Sequence, residues 1–243
     1  MKKFGILIGL FILIIYFTSI HNVNSQSNFS SGNSYNYNQP RNAQDNVLII
    51  LDASYSMIDN LDGERKIDIA KNAINQVLSQ LPSNVWVGLR VFGDKTGFLG
   101  FNSCKASELK VAIGPGNQSL ISTELSKIEP VGMTPMVYSL EQAIDNDFIG
   151  KSGVKHIILV SDGMDTCGGD PCEFAINLVK NHAGVKIDAI GFDLDEQIAM
   201  SQLKCTALAT KGKFYAANNS KDLTDSLRKS LTTSEEVFGK VVK

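Results

Sequence analysis

The chain has 243 residues, 43% of them hydrophobic, and its 23 basic and 25 acidic side chains give a formal net charge of −2. This length and composition are enough to bury one sizeable hydrophobic core and do not require a second folded domain. The basic residues form no stripe that could neutralise a phosphate backbone, so we exclude nucleic acid as a partner.

The amino terminus has the order of residues that is typical of an export signal. Two lysines precede an apolar run from Phe4 to Phe17, and polar residues follow. We therefore assign residues 1–25 to a signal peptide or an uncleaved N-terminal anchor. Val23 and Ser25 suit the −3 and −1 positions of a cleavage site. We predict a secreted or extracytoplasmic protein, in the periplasm or at the cell surface, with a membrane anchor only if this segment is retained.

A polar stretch separates this leader from the folded part of the chain. Residues 26–45 are rich in asparagine, serine, glutamine and glycine, with few aliphatic side chains. Such a composition buries too little apolar surface to offset the entropy of ordering, so we predict a flexible polar spacer. We place the folded domain at residues 46–234, where aliphatic residues resume, and a C-terminal tail at residues 235–243.

Strand and helix patterns alternate along the first half of this domain. The aliphatic run NVLIIL before Asp52 is typical of a strand buried on both faces. The predicted elements are, in order, a strand over residues 46–51, a helix over 67–81 closed by Pro82, a strand over 85–92, an edge strand near 109–113 and a short helix near 122–128.

The second half of the domain continues the alternation. The predicted elements are a helix from Pro135 to Phe148, a strand over 156–160, a helix capped by Asp170 and Pro171, a strand over 185–192, a helix over 195–210, a strand over 213–217 and a last helix through Leu223, Leu227 and Leu231. The alternation predicts an α/β fold with a doubly wound, mostly parallel, Rossmann-like central sheet, one antiparallel edge strand and helices on both faces. Such sheets bind ligands beyond the carboxyl ends of their strands.

Four cysteines lie in the folded domain, at positions 104, 167, 172 and 205. An even number in an exported chain favours two disulfides, and the spacings match no two-pair zinc pattern. Four cysteines allow three connectivities. We favour Cys104 with Cys167 and Cys172 with Cys205, because two neighbouring helices would bring the second pair together. A small loop closed by Cys167 and Cys172 stays open as an alternative.

Five oxygen-bearing side chains fall in loops beyond the carboxyl ends of the predicted strands. Asp52, Ser54 and Ser56 alternate after the first strand, and Thr134 and Asp162 come from separate loops on the same rim. These three hydroxyls and two carboxylates suit a hard cation, with Mg²⁺ favoured and Mn²⁺ or Ca²⁺ as alternatives. The set leaves a coordination position open, and its neutral hydroxyls leave the ion electrophilic enough to accept a carboxylate.

The segments that carry these residues resemble a known family. LDASYS, Thr134 within GMTP and Asp162 within LVSDG are similar to the metal-ion-dependent adhesion site of von Willebrand factor type A domains, which has the pattern DxSxS with a distal Thr and Asp. The resemblance spans about residues 46–234. It implies that the two serines bind the metal directly, and that the threonine and the aspartates bind it directly or through water.

The same resemblance implies a function for the domain. In that family the metal commonly accepts an Asp or Glu from a protein partner, which agrees with the coordination argument. We therefore predict a monomeric, non-enzymatic, adhesion-type binding module. The stretch DTCGGDPC is also similar to a bacterial subgroup of exported type A domains.

Two alternative functions stay open at this point. A phosphohydrolase resembling the haloacid dehalogenase superfamily would use Asp52, Thr134, Lys155, Asp162 and Asp165. That chemistry usually needs a second carboxylate two residues after the nucleophile to protonate the leaving group, and Ser54 cannot do this. The other alternative keeps the fold without the metal, as a structural or assembly module.

Two further residues have no assigned function. Tyr55, between the two serines, either packs inward or lies at the edge of the metal site. His156 stands at the start of a predicted buried strand, and we expect it to have a structural role.

Overall fold

A computed structural model describes residues 45–82, 84–96, 103–181 and 184–239. Its strands are β1 (Asp45–Asp52), β2 (Asn60–Leu61), β3 (Glu64–Arg65), β4 (Trp86–Phe92), β5 (Ser107–Pro115), β6 (Val154–Ser161), β7 (Val185–Phe192) and β8 (Phe214–Ala217). Its α-helices are α1 (Lys66–Leu78), α2 (Gln118–Leu125), α3 (Met136–Gln142), α4 (Pro171–Asn181), α5 (Gln197–Ala209) and α6 (Ser220–Gly239).

Six of these strands form one sheet in the order β5-β4-β1-β6-β7-β8. Strand β5 pairs antiparallel with β4, and the other neighbours pair parallel. This arrangement confirms the predicted doubly wound sheet with one antiparallel edge strand. The short strands β2 and β3 form a separate hairpin whose turn residues, Asp62 and Gly63, both have positive φ. This hairpin was not among the predicted elements.

Hydrophobic side chains on both faces of β1 are buried, as its aliphatic run predicts. Val47, Ile49 and Leu51 join one core cluster with residues of α1, α2 and α6. Leu48 and Ile50 join a second cluster with residues of α3, α4 and α5. Burial of each such side chain contributes about 1.5–3 kcal/mol. The two helical layers therefore hold the sheet from both sides and leave its strand ends to the loops.

Three helices differ in extent from their predictions, and one of them, α2 (Gln118–Leu125), begins before the short helix predicted near 122–128. Helix α1 ends at Leu78, because the chain then tightens into turns in which Gln80 and Leu81 donate to carbonyls three residues earlier. The predicted helix from Pro135 to Phe148 changes to a π-helical turn over Ala143–Asp147. That wider turn ends at Asp147, whose buried carboxylate forms a bidentate ion pair with Arg90 on β4.

Both favoured disulfides are present. Cys104 pairs with Cys167 across a Cα–Cα distance of 5.4 Å, and Cys172 pairs with Cys205 across 5.2 Å. The second bridge joins α4 to α5, as the pairing argument expected. The first joins the segment before β5 to the loop after β6. The alternative loop closed by Cys167 and Cys172 is therefore wrong.

The predicted ends of the folded domain lie close to the edges of the described residues. The signal peptide or anchor (1–25) lies outside them, as does the spacer (26–45) except for Asp45, the first residue of β1. Helix α6 runs to Gly239, so helical backbone continues past residue 234 into the predicted tail. Among the described residues, no helix combines the length and the apolar character needed to cross a membrane.

Candidate metal site

The candidate site begins where two neighbouring parallel strands end. Leu51 of β1 pairs in register with Val160 of β6, so Asp52 and Asp162 both follow at the carboxyl edge of the sheet. After Asp52 the chain turns at once, because the Ser54 N–H donates to Asp52 Oδ1 at 2.8 Å. A short 3₁₀ turn over Tyr55–Ile58 follows. The local turn therefore directs the serines of the DxSxS pattern back over the edge of the sheet.

Hydrogen bonds connect the side chains of this turn to the neighbouring strand end. The Ser54 and Ser56 hydroxyl oxygens lie 3.2 Å apart, and Ser56 Oγ donates to Asp162 Oδ1 at 2.8 Å. On the other side of the site, Ser161 Oγ donates to Asp52 Oδ2 at 2.6 Å. Four of the five predicted site residues therefore form one group, joined by these bonds and by the charge interaction between the two aspartates.

The fifth predicted residue, Thr134, is placed by its main chain. Gly132 forms a parallel bridge with Ser54, and the Tyr55 N–H donates to the Gly132 carbonyl at 2.9 Å. Thr134 N donates to Thr166 Oγ1 at 2.9 Å, and the Thr166 N–H returns a bond to the Thr134 carbonyl. Thr134 is buried at this edge, but no hydrogen bond among the described residues joins its hydroxyl to the other four side chains.

Two glycines allow the loops around the site to meet. A Cβ on Gly93, whose φ is +78°, would lie 2.6 Å from the Ser54 nitrogen. A Cβ on Gly132 would lie 2.7 Å from the Lys95 carbonyl oxygen. The Gly132 N–H also donates to the Gly93 carbonyl at 2.7 Å. The main chains are therefore too close for any side chain at these two positions.

Lys66, at the start of α1, is a charged neighbour that the sequence analysis did not single out. Its Nζ lies 3.3 Å from Asp162 Oδ2 and 2.9 Å from Asp193 Oδ2. Burial works to lower the pKa of Lys66, but its bond to Asp193 and the charge of Asp162 outweigh this and raise the pKa. The ammonium therefore stays charged and neutralises part of the negative charge of Asp162.

Negative charge still exceeds positive charge between the two strand ends. Burial, followed by the charge of Asp162, raises the pKa of Asp52 to about 7, although hydrogen bonds from Ser161 and Ser54 oppose the shift. Burial also raises the pKa of Asp162, against the opposing effects of Ser56 and Lys66. Two buried carboxyl groups that resist ionisation side by side are a site where a bound cation would remove the penalty.

The donor set at this site suits a hard divalent cation. Within the described residues, no group of three or more His, Cys, Asp or Glu side chains could hold a metal. A cation here would therefore use hydroxyl oxygens together with the two carboxylates. Asp52, Ser54, Ser56 and Asp162 already face one another, and Thr134 lies on the adjacent loop. Oxygen-only ligands favour Mg²⁺, Mn²⁺ or Ca²⁺ over softer metals.

The geometry does not support the phosphohydrolase arrangement. Lys155 pairs in register with Asn46, six residues before Asp52 along β1. At about 3.3 Å per residue this places the lysine backbone roughly 20 Å from the strand end. Asp165 accepts main-chain bonds from Cys167 and Gly169 in its own loop and from Val137 at the start of α3, which fixes its carboxylate between these two segments. Neither residue joins the site, so that constellation is not assembled.

The fold and the site together define a doubly wound α/β domain with an oxygen-lined sheet edge. Residues 46–229 match the von Willebrand factor type A domain. The chain therefore belongs to the von Willebrand factor type A domain family.

Known proteins are similar to this chain in sequence and in fold. The chain is 31% identical over 202 residues to the uncharacterized protein YwmD of Bacillus subtilis (strain 168), covering 78% of this chain and 86% of that protein. Its fold is similar to that of BatB from Bacteroides thetaiotaomicron, with a TM-score of 0.62 and 16% identity over 79% of this chain and 99% of the other.

A second similar structure holds a metal. It is PTMP1 from the mussel byssus with a zinc-occupied MIDAS motif. Its TM-score is 0.58 and its identity is 20%, over 77% of this chain and 46% of that protein. At this level of identity the similarity concerns the fold.

Proposed function

We propose that this protein is a metal-dependent binding module. A divalent cation at Asp52, Ser54, Ser56, Thr134 and Asp162 would accept an acidic side chain of a protein partner. The main support is the pair of buried carboxyl groups at adjacent strand ends, whose raised pKa values mark a deficit of positive charge. The hydroxyls of Ser54 and Ser56 beside them add neutral ligands without adding negative charge.

The choice of an acidic partner follows from charge balance. Two carboxylates neutralise a divalent ion, but Lys66 already offsets part of the charge of Asp162. The bound ion would then keep some positive charge toward its open coordination position, which a carboxylate oxygen satisfies better than a neutral ligand. We favour Mg²⁺ over Ca²⁺ because few carboxylates and several hydroxyls suit the smaller ion. Mn²⁺ has the same ligand preferences.

The setting of this function is also part of the proposal. Two disulfides and the charged, then apolar, amino-terminal sequence support export to an oxidising compartment. We propose a monomer that is secreted or held at the cell surface by its N-terminal segment. We assign it no catalytic role.

Calorimetric titration of Mg²⁺, with Mn²⁺ in parallel, tests the site. We expect the wild-type protein to bind and Asp52→Ala to show no binding. Ser54→Ala should bind at least about tenfold more weakly, because it loses one ligand of the ion while the fold stays intact. Ser126→Ala, which removes an exposed hydroxyl at the end of α2, is the matched control and should bind like the wild type.

The alternatives give different results in the same experiment. A wild-type protein that binds neither ion would reject the proposal and favour the metal-free structural module. Metal-dependent hydrolysis of p-nitrophenyl phosphate that Asp52→Ala abolishes would instead favour the phosphohydrolase. Unfolding of metal-free Ser54→Ala would show that the serine has a structural role.

A further inference from the structure

Three large apolar side chains are exposed beside the candidate metal site. Tyr55 is 69% exposed, Val131 43% and Met133 40%. They come from two segments that the Ser54–Gly132 bridge and the bond from the Tyr55 N–H to the Gly132 carbonyl hold together. We refer to Tyr55, Val131 and Met133 as the apolar rim.

The exposure of Tyr55 follows from the packing beneath it. Ala53 and Met57, on either side of it in the chain, are fully buried in the core cluster under α1. The ring between them extends into solvent, in the middle of the DxSxS pattern. Apolar groups exposed together at a binding site mark contact surfaces more often than isolated ones do. Tyrosine is also frequent among the residues that dominate binding energy, and methionine adapts to irregular partners.

The other exposed large apolar residues lie outside these two segments. Ile149 is as exposed as Tyr55, at 69%, but it precedes β6 and so lies toward the opposite edge of the sheet from Asp162. The rest lie on helices, namely Leu120, Ile176, Val179, Ile198 and Leu208. Among the described residues, the apolar rim is therefore the group of exposed apolar side chains that adjoins a predicted ligand of the cation.

We propose that the apolar rim binds an apolar side chain next to the acidic residue of the partner. The occupant is a segment of a partner protein in which Asp or Glu lies within one or two residues of a large aliphatic or aromatic side chain. This rests on the proposed function, because the cation supplies the charge that the carboxylate complements. The carboxylate would fix the point of contact, and burial against the rim would supply most of the selectivity.

The rim also accounts for how a weak ionic contact becomes specific. A single carboxylate displaces water from the bound metal, and a carboxylate on any acidic surface could do the same. An apolar neighbour that covers Tyr55 and Met133 excludes water around that contact, which strengthens the interaction of opposite charges. Acidic segments with only polar neighbours would leave the rim exposed and bind more weakly.

Selection from a random-peptide phage library tests the proposal. Phage are bound to the immobilised full-length protein in Mg²⁺ and Mn²⁺ and eluted with EDTA. We expect the recovered peptides to carry Asp or Glu close to a large apolar residue. Synthetic copies should bind Tyr55→Ser and Met133→Ser about tenfold or more weakly than the wild type. Ile149→Ser, an equally exposed apolar residue away from the site, is the control and should bind normally.

Each other outcome rejects a defined part of the argument. Recovered acidic peptides without apolar neighbours, or unchanged binding to the two rim variants, would overturn the role of the rim. Normal Mg²⁺ titration with no EDTA-eluted peptide would also overturn it while leaving the metal site in place. Absence of Mg²⁺ binding by the wild type would reject the proposed function itself. Both rim variants should retain wild-type Mg²⁺ affinity, which separates loss of the rim from damage to the site.

Discussion

Two aspartates in the protein are fully buried, but their pKa values are shifted in opposite directions. Asp52 at the end of β1 and Asp188 within β7 have no exposed surface. The pKa of Asp52 is raised to about 7, whereas that of Asp188 is lowered to about 2. Burial acts on both in the same direction, so the opposite signs of the two pKa shifts come from the groups that surround each carboxylate.

Asp188 is surrounded by groups that favour its ionised form. Ser230 Oγ donates to Oδ2 at 2.6 Å, the Lys213 N–H donates to Oδ1 at 2.8 Å, and His156 Nε2 lies 3.1 Å from Oδ2. Lys186 Nζ adds a full charge at 3.1 Å. Burial works to raise the pKa of Asp188, but the contacts with His156 and Ser230 and the charge of Lys186 outweigh it. This carboxylate needs no further ligand.

Among the described residues, Asp52 has hydrogen-bond donors but forms no ion pair with a basic side chain. Ser161 Oγ and the Ser54 N–H donate to its two oxygens, while the charge that acts on its pKa is that of another acid, Asp162. Asp188, a structural buried carboxylate, therefore differs from Asp52, whose charge the proposed cation would neutralise. The first has its charge compensated within the fold, and the second does not.

The largest expected effect is on stability, at Asp188. Asp188→Asn leaves Lys186 beside a neutral group and removes an acceptor from Ser230 and His156. Breaking one side of a buried charged network costs about 3–5 kcal/mol. We expect urea unfolding of the metal-free variant to show a loss of that size.

Asp52→Asn is the matched control, since it makes the same change at the other buried aspartate. The asparagine Oδ1 can still accept from the Ser54 N–H, its Nδ2 can donate to Ser161 Oγ in place of the bond that Ser161 donates to Asp52, and the repulsion with Asp162 is removed. We expect the unfolding free energy of this variant, without metal, to equal or exceed that of the wild type, while Mg²⁺ binding is lost. Similar losses of stability in both variants would contradict the distinction between the two aspartates.

Much of the fold and of the candidate site could be predicted from the sequence, because these features depend on local patterns. Continuous aliphatic runs predicted the buried strands, and parallel strands must end at a common edge, so Asp52 and Asp162 were expected there. The helix pair that brings Cys172 to Cys205 followed from the same alternation. The expected structural role of His156 agrees with its burial beside Asp188.

The remaining features depend on contacts between distant segments. Lys66 stands in a charged stretch, and only the packing of α1 directs its ammonium toward Asp162 and Asp193. The π-helical turn after α3 ends at Asp147, which pairs with Arg90 on the distant strand β4, and no local pattern indicates that contact. Tyr55 could have packed inward, and its exposure was decided by Ala53 and Met57 filling the core beside it. Residue type alone carries none of this information.

The pH dependence of metal-free stability should be of intermediate size, and the contributions of Asp52 and Asp188 to it should have opposite signs. The pKa of Asp52 is above its ordinary value of 3.8, so its contribution to metal-free stability is complete below about pH 4 and is lost as the pH rises through about 7. The pKa of Asp188 is below that value, so its contribution is present above about pH 4 and is lost as the pH falls toward 2.

The pH dependence of metal binding gives the most direct measurement of the raised pKa of Asp52. A proton on Asp52 competes with the cation, so Mg²⁺ affinity should fall by up to about tenfold per pH unit below 7 and level off above it. Calorimetry at several pH values would show this slope. Urea unfolding of the metal-free wild type should show lower stability at pH 8 than at pH 5 from this group, and Asp52→Asn should remove that part of the difference. A pH-independent Mg²⁺ affinity would argue against a raised pKa at Asp52.

The smallest expected effect is at Lys66, and it sharpens the account of charge at the site. Lys66→Met keeps the length of the side chain and removes the charge 3.3 Å from Asp162 Oδ2. Without that charge, the two aspartates should attract a cation more strongly, and we expect Mg²⁺ affinity to rise by about tenfold. Lys71→Met is the control, because Lys71 lies on the same helix but pairs with Asp68 and Glu129.

The direction of the Lys66 effect decides how Asp162 takes part in metal binding. Its Oδ1 accepts from Ser56 and its Oδ2 from Lys66, so both oxygens are engaged in the metal-free protein. If the ammonium competes with the cation for this carboxylate, its removal must strengthen binding. If it instead holds Asp162 in the orientation that the cation requires, its removal must weaken binding and leave Asp52 as the principal anionic ligand. Stronger Mg²⁺ binding by Lys66→Met would therefore show that Lys66 limits the metal affinity of the wild-type site.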